Sequence, residues 1–103
     1  LLFVFALFNF VTIAHAASEV ILTIKNHKFS PETLTIPAGK KIKLIVKNLD
    51  ATPEEFESYV LHREKIIQPK GKVKIFIGPL KPGRYPFFGE FHADTAKGVI
   101  VAE

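Results

Sequence analysis

Lys41-Ile42-Lys43-Leu44-Ile45-Val46-Lys47-Asn48 is the stretch on which the fold turns. Ile42, Leu44 and Val46 fall on one parity and Lys41, Lys43 and Lys47 on the other, the period of two that belongs to an extended strand with one dry face. A helix would repeat its apolar residues every three to four positions instead. Outward in both directions the alternation returns: Val20, Leu22 and Ile24 against Ile21, Thr23 and Lys25, and Lys72 and Lys74 against Val73 and Ile75.

Between these runs lie residues that break strands. Pro37-Ala38-Gly39-Lys40, Pro69-Lys70-Gly71 and Pro79-Leu80-Lys81-Pro82-Gly83 read as turns, and residues 48–53 as a loop. Extended segments are predicted over residues 20–26, 29–36, 41–48, 54–61, 64–68, 72–77, 85–91 and 98–102. In 54–61 Phe56, Ser58 and Val60 share a face opposite Glu55 and Glu57. Seven to eight short strands at this spacing predict an all-β, Greek-key β-sandwich with no helix longer than a turn.

The chain has 103 residues, a net charge of +4, and no cysteine, methionine or tryptophan. Without cysteine there is no disulfide framework, zinc knuckle, iron–sulfur cluster, thiol nucleophile or thiolate copper site. Residues 1–16 carry no charge, hold four of the ten phenylalanines, and end in Ala14-His15-Ala16. This is the apolar core and small-residue cleavage site of a secretory signal. The rival reading, a retained anchor, is disfavoured because the apolar run of about 14 residues is short of the ~20 that cross a bilayer. The expectation is therefore an exported, periplasmic protein, with residues 17–103 as one domain stabilised by packing alone.

Lysines on the strand faces read as a solvated, aggregation-resistant surface, since edge strands often carry them. They lack the aromatic interleaving and arginine clusters of a nucleic-acid interface, and no nucleic-acid partner is expected. His27 and His62 read as solvated loop residues. Ser30 and Ser58 lie in no nucleophile elbow, so no catalytic residue is assigned.

The run Phe29-Ser30-Pro31 to Ile36-Pro37-Ala38-Gly39-Lys40, then Val46-Lys47-Asn48-Leu49-Asp50, Pro82-Gly83-Arg84-Tyr85 and Gly98-Val99-Ile100-Val101, resembles the cupredoxins over residues 20–103. In that pattern Glu54 stands where the family has its first histidine ligand, Gly89 where it has the thiolate and Thr95 where it has the thioether. Only His92 keeps a ligand type. The resemblance thus implies the fold without the blue, electron-transferring copper centre.

Glu54-Glu55-Phe56-Glu57-Ser58, Glu64-Lys65 and Phe88-Gly89-Glu90-Phe91-His92 are similar to the cupredoxin-like components of periplasmic ferrous- and elemental-iron uptake systems. That resemblance implies a metal-binding protein that takes iron or copper and passes iron to a membrane permease, with other periplasmic uptake components as partners. The expected metal ligands are Glu54, Glu57, Glu90 and His92. Strand parity puts Glu54 and Glu57 on opposite faces, so their joint use requires a bulge or bend at the strand start. The alternatives are surface ion pairing of these acids with Arg63, Lys65, Arg84 or Lys97, a copper-dependent ferroxidase, and a metal-free docking module for a permease complex.

Overall fold

The computed structural model describes residues 3–4 and 17–103. Apart from Phe3 and Val4, the expected signal segment lies outside the described residues. Among the described residues nine strands form two sheets: β1 (Ser18–Lys25), β2 (Lys28–Ser30), β3 (Thr33–Ile36), β4 (Ile42–Asn48), β5 (Glu54–Ser58), β6 (Arg63–Ile67), β7 (Lys72–Ile77), β8 (Gly83–Gly89) and β9 (Lys97–Ala102). The four-stranded sheet runs β2-β1-β4-β7 and the five-stranded sheet β3-β9-β8-β5-β6. The all-β sandwich expected from the alternation is the observed architecture.

The register is set by the alternation itself, since slipping one residue would turn the apolar set to water. β1 lies parallel to β4 from Ser18↔Ile42 to Ile24↔Asn48, and β4 antiparallel to β7 from Ile42↔Ile77 to Lys47↔Lys72. Leu22, Ile24, Ile42, Leu44, Val46, Ile75 and Ile77 point inward and meet Phe56, Ile67, Phe87 and Ile100 of the other sheet. At the centre Phe29 stands edge-on to Phe87 (ring centroids 5.0 Å apart), while Phe87 stacks on Phe56 at 5.2 Å. Each buried ring of this kind contributes about 1.5–3 kcal/mol of transfer free energy.

The strand count exceeds seven or eight for a local reason. The expected segment 29–36 breaks at Pro31, which has no N–H to give to a ladder, and its halves pair in different sheets, β2 with β1 and β3 with β9. The segment 54–61 stops at Ser58, where residues 59–62 turn into β6 with His62 at φ 54°. The segment 85–91 ends at Gly89, and Glu90–His92 form a single 3-10 turn instead of continuing the strand. Among the described residues, no helix is long and apolar enough to cross a membrane.

Candidate functional site

β5 carries most of the candidate residues, and it is a regular strand. Its ladder with β6 runs unbroken from Glu54↔Ile67 through Phe56↔Lys65 to Ser58↔Arg63. With no bulge, parity holds: Glu54, Phe56 and Ser58 face the core and Glu55 and Glu57 the outer side. The bend that would bring Glu54 and Glu57 into one site is absent, and the four expected ligands separate into two places and an outlier.

The first place is the end of the sandwich where β5 starts. Glu54 is 1 % exposed. Its Oε1 accepts the backbone N–H groups of Phe91 (2.9 Å) and Glu55 (3.1 Å), and its Oε2 accepts His92 Nδ1–H at 2.6 Å. These bonds explain why the chain leaves β8 at Gly89, because the 3-10 turn presents the Phe91 N–H and the His92 ring to one carboxylate. His92 in turn stacks on His27, with ring centroids 3.5 Å apart and planes 11° off parallel.

His27 is held by its loop. The two-residue turn Asn26-His27 has φ of 53° and 58°, the left-handed pair that closes a tight hairpin. The Asp50 carboxylate accepts both N–H groups, from Asn26 at 2.7 Å and His27 at 3.0 Å. Burial pushes the Asp50 carboxyl up, but these two bonds, helped by His27 and Lys70 nearby, outweigh it and hold the group below its ordinary range. Asn48 fixes the loop that carries Asp50, its amide donating to Thr52 O at 2.8 Å and to Ile67 O at 3.2 Å and its Oδ1 accepting the Asp50 N–H at 3.0 Å. Thr95 Oγ1 donates to His27 O at 2.6 Å, joining the β8–β9 connection to the hairpin.

Gly89 shows what this arrangement excludes. A Cβ on Gly89 would lie 2.6 Å from Glu54 Cδ and 2.7 Å from Ala96 Cβ. The backbone at this residue has φ −96°, open to any amino acid, so space alone demands glycine here. A thiolate copper centre does not fit: the position has no side chain, and the Glu54 carboxylate fills the volume one would need.

The second place is on the outer face of the five-stranded sheet. Glu57 stands directly across from Glu64, and Glu55 lies two residues before it on the same face. One carboxylate oxygen from each of Glu55, Glu57 and Glu64 falls within 4.8 Å of the others. Like charges opposed across a ladder destabilise it, and Glu55 is only 8 % exposed. Its carboxyl is pushed up to about 7, foremost by the side-chain hydrogen bond with Glu64, then by burial and by Glu57. Among the described residues no lysine or arginine forms an ion pair with the three; the lysine that does pair with an acid is Lys43, with Glu19. Arg63, the nearest arginine in sequence, gives its guanidinium to the carbonyls of Phe76 (3.0 Å), Leu61 and His62. The groove beside the cluster is lined by Glu57, Ser58, Tyr59, His62, Arg63 and Glu64.

Of the expected ligands, the structure brings Glu54 and His92 together, places Glu57 in the outer cluster, and leaves Glu90 exposed on the 3-10 turn in neither group. Glu55 and Glu64 were not among the expected ligands. Counting outward from the turn at residues 59–62 pairs position 57 with 64, so a hairpin register holds the signal for Glu64. The stacking of His27 on His92 joins residues 65 positions apart and has no such local signal.

This fold, with its end filled by Glu54 and His92, defines a cupredoxin-like protein without a thiolate copper site. The chain belongs to the cupredoxin-like domain family, whose model matches residues 1–102. An uncharacterised protein of Rickettsia prowazekii (strain Madrid E) is 54 % identical over 83 residues, covering 81 % of this chain and 66 % of the relative, so this chain spans just under two thirds of that relative. Auracyanin A, a blue copper protein of Chloroflexus aurantiacus, superposes with a TM-score of 0.72 at 12 % identity, over 85 % of this chain and all of that one. The metal-binding domain of the Cu(I)-exporting P-type ATPase of Streptococcus pneumoniae D39 superposes with a TM-score of 0.71 at 12 % identity, over 89 % of this chain and 91 % of that domain. At 12 % identity these likenesses show the fold.

Proposed function

We propose that the protein is an exported metal-binding component of an iron-uptake system, holding iron on the outer face of the five-stranded sheet for transfer to a membrane permease. One observation carries the reading: Glu55, Glu57 and Glu64 offer oxygens within 4.8 Å of one another, with Glu55 nine-tenths buried and no cation paired to any of them among the described residues. Three carboxylates brought this close repel one another, and a multivalent cation offsets that repulsion. Oxygen donors without thiolate or thioether favour hard cations. The choice of iron among them, the periplasmic location and the permease partner follow from the sequence resemblance. Glu54 and His92 hold the end of the sandwich closed and are bonded to each other, so in this reading they support the fold and Glu57 is the expected ligand that binds.

Isothermal titration with Fe(II) under anaerobic conditions, and with Fe(III), Mn(II) and Cu(II), tests it. Binding tighter than micromolar, about 8 kcal/mol, that is lost in Glu57→Gln plus Glu64→Gln is the expected result. Millimolar or weaker binding to all four ions removes the proposal. Oxygen consumption with ferrous iron that depends on added copper would assign the ferroxidase role instead.

A further inference from the structure

We propose that the outer face of the four-stranded sheet is a docking surface for an anionic phospholipid membrane. The face opposite the carboxylate cluster is built from the outward residues of β1, β2, β4 and β7. Lys25, Lys28, Lys43, Lys47, Lys72 and Lys74 project from it, and Lys41 lies over the exposed Phe76 ring at 4.8 Å. These seven are half of the chain's 14 basic residues. The acid placed among them is Glu19, 3.6 Å from Lys43.

The register makes this more than a solvated surface. Lys25 stands directly opposite Lys28 on β2, and Lys47 directly opposite Lys72 on β7. Like charges paired across a ladder cost stability, and here the cost recurs at two places on one face. Protection of sheet edges accounts for lysine on β2 and β7, which are the edges, but not for Lys25 on β1 or Lys43 and Lys47 on β4, which lie inside the sheet. A negatively charged surface laid against the face turns both repulsions into attraction.

The chemistry selects a lipid surface over other polyanions. Both arginines, Arg63 and Arg84, belong to the other sheet, so the face has no planar fork for bidentate phosphate or base recognition and offers only lysine point charges. Apolar side chains stand between the lysines: Ile21 is 47 % and Phe76 46 % exposed, and Ile45 lies beside Ile21 in the register. Lysines interspersed with isolated apolar groups suit a headgroup layer, where each lysine near the surface strengthens binding about fivefold. Docked this way, the protein would turn Glu55, Glu57 and Glu64 toward the aqueous side.

Co-sedimentation of the protein with vesicles of phosphatidylcholine containing about one third phosphatidylglycerol, compared with pure phosphatidylcholine, tests this. The expected result is binding to the anionic vesicles only, abolished by raised salt. Lys47→Gln plus Lys72→Gln should weaken it by about 25-fold, at fivefold per lysine, while Glu57→Gln plus Glu64→Gln, which removes the proposed iron ligands, leaves it unchanged. Relief of a like-charge pair should leave the lysine variant's thermal midpoint equal to or above the parent's, which controls for folding. Equal binding to neutral vesicles would show that the lysines do not direct attachment and would overturn the proposal. So would absence of binding to anionic vesicles at low salt, whether or not the same lysines retain the protein on DNA.

Discussion

Glu54 and His92 are 38 residues apart and share a 2.6 Å bond that closes one end of the sandwich. The two ends of that bond differ in burial, the carboxylate being 1 % and the imidazole 25 % exposed. Removing either partner leaves a polar group without its complement, and the carboxylate is the one that cannot turn to water. Glu54→Ala deprives two backbone N–H groups and His92 of their acceptor at once. Each buried donor left without its acceptor costs about 1–3 kcal/mol, and urea unfolding of Glu54→Ala should show a loss of at least that size. His92→Ala, which strands the Glu54 carboxylate, should also lower the unfolding free energy, and a loss under half a kcal/mol, roughly the surface-pair range, would contradict the geometry.

Gly89 and Glu54 occupy one volume between them. Gly89→Ala places a methyl 2.6 Å from Glu54 Cδ, so the carboxylate must shift and surrender part of its bonding. The two sites should therefore couple: Gly89→Ala should destabilise the parent more than it destabilises Glu54→Ala, by about 0.5–3 kcal/mol, the interaction energy typical of residues in contact. Additive effects in the four-member cycle would mean that the carboxylate is not what holds this position to glycine.

How much was legible in the sequence follows from the range of each interaction. Strand alternation is local, so Ile42, Leu44 and Val46 announce the core by their spacing, and the sandwich follows from counting such runs. Parity is local too, and it correctly set Glu54 and Glu57 on opposite faces; the bulge that would have united them does not form, because β5 pairs without interruption with β6. The meeting of Glu54 with His92 was legible only through the cupredoxin resemblance, which puts both at one end of the sandwich, whereas the His27–His92 stack depends on loops meeting there and has no signal near either residue. The lysines of β4 look the same in sequence whether they line an edge or the middle of a sheet. Only the register of β1, β2 and β7 shows Lys25 facing Lys28 and Lys47 facing Lys72.

Phe87 is held between Phe29 and Phe56, and its ring also lies where a Cβ on Gly98 would stand, 2.3 Å from Cζ. Two changes probe this from opposite directions. Phe87→Ala opens a cavity among rings that cannot follow it inward and should cost about 3–5 kcal/mol. Gly98→Ala overfills the same space and should cost about 1–3 kcal/mol. Chemical denaturation measures both, and a neutral Gly98→Ala would show that the ring has room to move.

Asp50 gives the fold an acid-side limit. Its carboxyl titrates below the ordinary value of 3.8 because the ionised form accepts the Asn26 and His27 N–H groups. A group with a depressed folded pKa binds fewer protons folded than unfolded, so its contribution is complete above the unfolded value and is lost as pH falls through the folded one. Asp50→Asn cannot ionise and should be less stable than the parent at neutral pH. The gap should hold constant down to pH of about 4 and narrow below it, as the parent's carboxylate is protonated. Thermal unfolding of the two proteins from pH of about 2 to 7 measures the gap. If it stays constant over the whole range, the hairpin N–H groups are held as well by an amide as by a carboxylate, and the charge on Asp50 plays no part in holding the turn.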